Sequence, residues 1–583
     1  MVFESYHLDS EELNDPIAIM EALHQTTDRF GVFCQQGRIL IPKKDSMLFP
    51  FLEKVVVEMQ TADPAGSFHP KTWFLRFKGQ NKPKPVLYRF ICLSRNLTFD
   101  KSWDTILTLE GKLDDTRTRG FSRNRPLADF LKSLSLFPPQ PISPSIQGHL
   151  DIMTAEISRV RFESPEGFDE EIKFLPSGIP GYQKQKKLKD FKRLMVLSPF
   201  LSDGILKSFD GNGKDNLLIS RLDSLEALNL TTLKKLAGNF RLYFMDPAAE
   251  WPEEIFSERD QEDNSNPQED RSGLHAKLLL MEKGNRVEVI TGSANLTDAA
   301  FTGKNVEFMV RLIGKKKDFG IEAFLGEEES PKGKVSFRNL IQSYIKAVKP
   351  NGDKSIQQEM EKELDGIRQK LILSQPFLSI TPSLSGSFLM ELQLKSPVKD
   401  LPVGFKGIYY PITLNNTHGK DIKALFQEGK AQFSQLSSIN LTGFIAFNLA
   451  IEQNAFNASL SFVLNLPAIG MPENRQKEII HHLLSDPERF LQFLLFILAD
   501  SQDPFWLSKE VEGSKDKNSL KRSSGFWDPF LMEEMIRAFS RNPEKLERIA
   551  RLVDDLKSAS KDKTIFPEGF EEIWGTFQQA LDL

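Results

Sequence analysis

One order of parts occurs twice in this chain and constrains its fold more than any other feature: His-x-Lys, strand, turn, strand, Ser-x-Asn. His69-Pro70-Lys71 is followed by a strand-like run over 72–77, a basic loop, a second run over 88–93, and Ser94-Arg95-Asn96. His275-Ala276-Lys277 is followed by an apolar run over 278–281, the turn Lys283-Gly284-Asn285, a strand over 287–290, and Gly292-Ser293-Ala294-Asn295. The copies stand a domain's length apart, which makes them an internal repeat. Residues i and i+2 of a strand project from one face, so each histidine and its lysine can reach one ligand. The hairpin then returns the Ser/Asn segment beside that strand. Two such halves, related by a pseudo-twofold axis, would pool two imidazoles, two ammonium groups and two amides. That set suits a phosphodiester. One imidazole attacks phosphorus, the other protonates the leaving oxygen, and the lysines and asparagines hold the non-bridging oxygens. The scheme calls for no metal and no cofactor.

A control lies within the chain. His418-Gly419-Lys420 is a third such triplet, and Ser438-Ile439-Asn440 follows it. The residues between read as an amphipathic helix and a polar loop, not strand-turn-strand, so this copy is expected to be chance.

Composition bounds the setting. Of 583 residues 40% are hydrophobic and 27% charged, as in a globular protein. Two cysteines, Cys34 and Cys92, cannot staple a chain of this size and suggest a reducing compartment. The first twenty residues are acidic and lack the apolar core of a signal peptide, and the run 490–499 is too short to span a bilayer. A cytoplasmic protein with no membrane partner is the expectation. Net charge is −5, which disfavours a general nucleic-acid binder. Basic residues are nevertheless clustered: Lys71, Arg76, Lys78, Lys82, Lys84, Arg89, Arg95 and Lys101, then Arg117, Arg119, Arg123 and Arg125, then 184–193. The segment 253–270 is acidic. Such clusters are either solvated faces or a track for a phosphate polymer.

The fold class expected is α/β: two halves of α/β/α type forming a pseudo-dimer, then a β-rich and finally a helical region. The parts are 1–174, 175–350, 351–470 and 471–583, with 176–187 as the linker opening the second half and a helix near 337–347 closing it. Residues 370–470 alternate apolar and polar with many turns, as in an antiparallel sheet. Asp486-Pro487 and Asn542-Pro543 each read as an N-cap with proline at the first helical position.

These residues resemble the phospholipase D superfamily, whose signature is a His-x-Lys with a downstream Gly/Ser-x-Asn, used twice in one active site. The resemblance covers about residues 1–350. It implies that His69 is the nucleophile forming a phosphohistidine and that His275 is the acid and then the base for water. The residues themselves leave open which histidine does which. Lys71, Lys277, Asn96 and Asn295 would hold phosphate, with Ser94, Arg95 and Ser293 lining the substrate site. Glu307 matches an acid that orients an active-site histidine in many members, and Asp104 is its counterpart in the first half. The family's usual Asp five residues after the lysine is absent, since Arg76 and Glu282 stand there. The tyrosyl-DNA phosphodiesterase branch also lacks it, which steers away from lipid.

A nuclease therefore leads the readings, acting on DNA ahead of RNA. By analogy with bacterial members it would serve a restriction or anti-phage system, with a protein partner met through the C-terminal region. Trp73, on the strand face of His69 and Lys71, is either a core ring or a stacking surface for a base. A hydrolase of phospholipids or other small phosphodiesters is the alternative. A non-catalytic nucleic-acid-binding component of a larger complex is another.

Overall fold

The computed structural model describes residues 16–79, 85–96, 102–185, 188, 190–209, 212–246, 273–327, 336–344, 352–384, 386–453, 456–498, 529–559 and 565–581. The chain is mixed α/β and divides into two compact units. One comprises Phe33–Gln35 and Met59–Ser355; the other comprises Met1–Val32, Gln36–Glu58 and Ile356–Leu583. The acidic segment 253–270, and part of the basic cluster at 184–193, lie outside the described residues.

The motifs are in the unit built from Met59–Ser355, on two unlike sheets. The first is an antiparallel four-stranded sheet of β1 (Thr72–Lys78), β2 (Val86–Leu93), β4 (Ile106–Leu113) and β5 (Val160–Phe162), in the order β1-β2-β4-β5. Strand β2 buries Val86, Tyr88, Phe90 and Cys92 while Leu87 and Arg89 face out, the period of a sheet with one covered face.

The second sheet has eight strands: β6 (Lys173–Ser177), β7 (Arg193–Leu197), β8 (Asn216–Ser220), β9 (Phe240–Met245), β11 (Leu278–Lys283), β12 (Arg286–Gly292), β13 (Glu307–Lys315) and β14 (Ile341–Ser343). Their order is β14-β9-β8-β7-β11-β12-β13-β6. Its central strands are apolar without alternation, because both faces are covered. Leu194 and Val196 of β7 enter one core with Leu206, Leu225 and Leu236, while Met195 and Leu197 enter another with Ile321 and Leu325. A two-stranded parallel pair, β3 (Ser102–Trp103) with β10 (Gly273–Leu274), lies outside both sheets.

Aromatic rings join the two sheets. Phe308 of β13 lies 5.4 Å from Phe90 of β2 and 5.0 Å from Phe130 of the helix Arg125–Ser133, between ring centroids. Tight contact also fixes Gly292, whose φ is 149°. A side chain there would meet the Phe308 carbonyl oxygen at 2.3 Å and Cys92 Sγ at 3.1 Å.

Three sequence expectations are corrected. The supposed linker 176–187 begins inside β6, where Ser177 pairs with Glu307. The helix expected near 337–347 is a 3-10 turn, Phe337–Leu340, followed by strand β14, because the edge of β9 takes a backbone partner there. Residues 345–347 lie outside the described residues. The N-terminal segment does not join the first half. Ile17, Met20, Leu48 and Phe51 share a core with Ile479, Phe490, Met535 and Leu546.

The other unit carries two four-stranded sheets between Phe377 and Ile469 and helices beyond, including Pro487–Leu498 and Pro543–Ala559. Both helices start at the expected prolines, and Asp486 Oδ1 accepts the Arg489 N–H at 2.9 Å as an N-cap should. His418 is here too, exposed, at the end of a 3-10 turn with the helix Ile422–Glu428 beyond it.

Candidate active site

Each histidine is held by backbone from the other half. The His69 N–H donates to the Val306 carbonyl at 2.9 Å, and the His275 N–H donates to the Trp103 carbonyl at 2.9 Å. The residue following each acceptor is an acid: Glu307 after Val306, Asp104 after Trp103. Parallel bridges fix these crossings, Phe68 with Val306 and Leu274 with Trp103.

The serines of the two motifs hold those acids in matching ways. Ser94 Oγ donates to Asp104 Oδ1 at 3.0 Å and accepts the Thr105 N–H at 2.8 Å. Ser293 Oγ donates to Glu307 Oε2 at 2.5 Å and accepts the Phe308 N–H at 2.9 Å. The Ser-x-Asn segment therefore positions a carboxylate, which is why a small hydroxyl stands there. Hydroxyls also meet across the two halves, Thr105 Oγ1 and Thr291 Oγ1 at 2.6 Å.

Glu307 has no solvent exposure, and its two oxygens lie 3.2 and 3.1 Å from His69 Nδ1. Asn305 Nδ2 donates to the same carboxylate at 3.2 Å. The expected acid is thus in place, and it serves the histidine of the opposite half. Asp104 is engaged differently. Ser102 Oγ donates to its Oδ2 at 3.0 Å, and Arg95 Nε pairs with that oxygen at 3.1 Å.

Both lysines point inward. Lys71 Nζ donates to the His69 carbonyl at 3.1 Å, and Lys277 Nζ to the His275 carbonyl at 2.8 Å and the Ser94 carbonyl at 2.9 Å. Removal from water pushes Lys71 down to about 7, opposed by Glu307 and reinforced by the charge of Lys277. Burial pushes Lys277 down to about 8, opposed by Glu307 and Asp104. His69 is lowered from its ordinary value first by burial, with Glu307 opposing and both lysines assisting. Glu307 acts on all three groups, which puts His69, Lys71 and Lys277 in one electrostatic environment.

The asparagines differ. Asn295 is half-buried, and its Oδ1 is enclosed with no hydrogen-bond partner. Asn96 is exposed, next to residues 97–101, which lie outside the described residues. His275 is half-buried, like His69. Trp73 is half-buried opposite Ile91 and faces away from the Phe74 side of β1, which packs on Phe90.

Comparison with models of known protein families and with curated proteins gave no match.

Arg76 and Glu282, five residues after Lys71 and Lys277, are held by contacts away from the histidines. Arg76 forks onto Glu156, with Nε to Oε2 at 2.7 Å and a terminal nitrogen to Oε1 at 2.8 Å, and Tyr88 donates to the same carboxylate at 2.6 Å. Glu282 is buried, accepts the Ile321 N–H at 2.9 Å and pairs with Lys316 at 2.8 Å. Among the described residues, no group of three or more His, Cys, Asp and Glu side chains is placed to hold a metal ion. Sequence reasoning missed Ser102, Thr105 and Thr291. Short hydroxyl residues carry no signal until their carboxylate or backbone partners are known. Taken together, the cluster sets Lys71, Lys277 and Arg95 against Glu307 and Asp104. Two buried lysines and a half-buried arginine against two carboxylates favour an anion.

Proposed function

We propose that this chain is a phosphodiester hydrolase of the phospholipase D kind, built as two halves that share one site, and that its substrate is nucleic acid. The observation that carries the reading is the pair of cations around two imidazoles: Lys71 and Lys277 are buried, the charge of Lys277 lowers Lys71, and among the described residues neither makes an ion pair with an anion. A phosphodiester oxygen pair supplies it. His69, fixed by a buried carboxylate at Nδ1, leaves Nε2 to attack phosphorus, and a phosphohistidine forms as the P–O bond to the leaving group breaks. His275 gives its proton to that leaving oxygen, then takes one from water, which cleaves the P–N bond and restores His69. Lys71, Lys277 and Asn295 hold the non-bridging oxygens as charge develops. The scheme draws its positive charge from lysine.

Support for nucleic acid over lipid is the basic clusters, with Arg95 beside the site, and the replacement of the motif Asp by Arg76 and Glu282. Among the described residues no helix is long and apolar enough to cross a membrane. A role in bacterial defence and a protein partner for the C-terminal region belong to the same proposal by analogy alone. Purified protein should cleave single- or double-stranded DNA or RNA in EDTA. A His69→Ala/His275→Ala double variant is the control. Cleavage by that variant, or none by the wild type on any of the four, would overturn the reading.

A further inference from the structure

We infer that a cationic patch at the far end of the first sheet is a second anchoring surface for the substrate, selecting long nucleic-acid chains over short phosphodiesters; this rests on the phosphodiesterase reading above. The segments 111–124 and 157–163 form it. They hold six cations, Lys112, Arg117, Arg119, Arg123, Arg159 and Arg161, against three acids, Asp114, Asp115 and Glu163. Backbone joins the two segments. Lys112 stands opposite Arg161 where β4 pairs with β5, the Asp114 N–H donates to the Arg159 carbonyl at 3.2 Å, and the Phe121 N–H donates to the Ser158 carbonyl at 2.7 Å.

The charges are displayed and not cancelled. Lys112, Arg119 and Arg161 are exposed, and among the described residues none of the six cations makes an ion pair. The Arg117 guanidinium lies over the Phe121 ring at 4.0 Å, and its Nε donates to the Arg119 carbonyl at 2.6 Å. Arg123 lies over the same ring at 5.7 Å, and its terminal nitrogens donate to the Glu170 and Phe162 carbonyls at 2.8 and 2.7 Å. Rings and carbonyls hold a guanidinium without neutralising it. Asp114 is committed to its own turn, where Oδ1 accepts the Thr116 hydroxyl at 2.7 Å and the Thr116 N–H at 3.2 Å. Its carboxyl lies below the usual range, first through the Thr116 hydroxyl and last through the charges of Arg117 and Arg161, which places those two arginines in one neighbourhood.

One exposed strand row leads from the histidine site to this patch. Thr105, which donates its N–H to Ser94 Oγ and meets Thr291, immediately precedes β4. Along β4, Ile106, Thr108, Glu110 and Lys112 face out while Leu107, Leu109 and Gly111 are buried. Glu110 in this row is paired with Arg89 at 2.6 Å. At about 3.4 Å per residue, the run from Thr105 to Lys112 covers about 24 Å, the length of about seven base pairs. A small phosphodiester held at the histidines falls short of the patch, and a longer polyanion reaches both. Phosphates neutralised there release counterions, so the anchoring weakens with salt.

The test compares bis(p-nitrophenyl) phosphate, which reads the histidine site alone, with single-stranded and duplex DNA of about 30 nucleotides per strand, for cleavage and for binding by fluorescence anisotropy across a salt series. In Lys112→Glu/Arg119→Glu/Arg161→Glu, KM and Kd for the DNA that wild type cleaves should rise about tenfold or more, and the salt slope should fall by about two to three. Hydrolysis of the small diester should stay at the wild-type rate. The matching triple Gln variant should shift the same quantities in the same direction by less. Lys283→Glu/Lys315→Glu/Lys317→Glu makes the same change in net charge at exposed positions elsewhere in this unit and should leave KM for DNA within about twofold of wild type. Unchanged DNA binding in the first variant, an equal loss in the control, or loss of small-diester hydrolysis in both patch variants overturns the inference. So does wild-type binding to phosphatidylglycerol vesicles in preference to either DNA. DNA binding that the patch variants weaken, with no cleavage of any substrate by wild type, keeps the anchor and overturns the hydrolase instead.

Discussion

Glu307 and His69, 238 positions apart in the chain, meet at 3.1 Å inside a site where the carboxylate has no contact with solvent. Their pairing fixes which imidazole nitrogen faces outward, because the Nδ1 proton is committed to the carboxylate and Nε2 carries the free lone pair. Glu307→Gln keeps the shape and removes the charge. It should lower kcat about a hundredfold or more, as loss of a histidine-orienting carboxylate does elsewhere. Since Glu307 opposes the lowering of His69, the acid limb of the pH–rate profile should also move to lower pH. A profile that moves upward, or an unchanged kcat, would remove Glu307 from this role.

The two histidines are separable by trapping. His69→Ala and His275→Ala should each abolish cleavage. His275→Gln should accumulate a covalent adduct, because the step in which water is activated has lost its base. Mass mapping should place the phosphoryl group on His69; on His275, it would exchange the two roles.

Proton loss from Lys71 and Lys277 should set the alkaline side of the profile. With the ammonium groups at about 7 and about 8, kcat/KM should fall as pH rises through that interval in the free enzyme. Stability runs the other way. The unfolded chain holds the Lys71 proton up to the ordinary lysine value of 10.5, so between about 7 and 10.5 it binds more protons than the folded state. Stability therefore rises with pH across that window. Lys71→Met should raise the melting temperature at neutral pH while removing activity, measurable by thermal unfolding and rate assay on one preparation.

Glu282 offers a contrast within the same sheet. Glu282→Ala strips the partner from the Ile321 N–H and leaves Lys316 unpaired, so Tm should drop while kcat at low temperature stays near wild type. A selective loss of kcat with Tm intact would make it part of the chemistry.

In the other unit, Arg475 is enclosed against Glu53, with nitrogens 2.7 and 3.1 Å from its two oxygens, and Thr442 Oγ1 and the Gly443 N–H complete the carboxylate. Glu53→Ala strands a buried guanidinium and should cost about 3–5 kcal/mol. Urea unfolding would read it, and a loss under about 1 kcal/mol would mean that water reaches Arg475.

Local pattern made the hairpins legible. The turn at Gly284, with φ 62°, joins β11 to β12 where Lys283-Gly284-Asn285 marked it, but His69/Lys71 and His275/Lys277 lie just before their strands, not within them as the i, i+2 argument supposes. What joins the hairpins was not legible. The crossing of Phe68 with Val306 depends on residues far apart in sequence, as does the docking of Ile17 and Met20 on a core made chiefly by residues after 470. The period of an apolar face announces that it will be covered, and by nothing in particular. Glu307 was readable as an acid near a histidine; that it belongs to His69 follows only from the crossing.

That crossing makes the two motifs open together. His69 takes its backbone acceptor from Val306 and its carboxylate from Glu307, while His275 takes its backbone acceptor from Trp103, so neither segment keeps its histidine in place once the other has come apart. Local fraying at one motif would therefore be felt as lost order at the other, on sheets as different as four strands and eight.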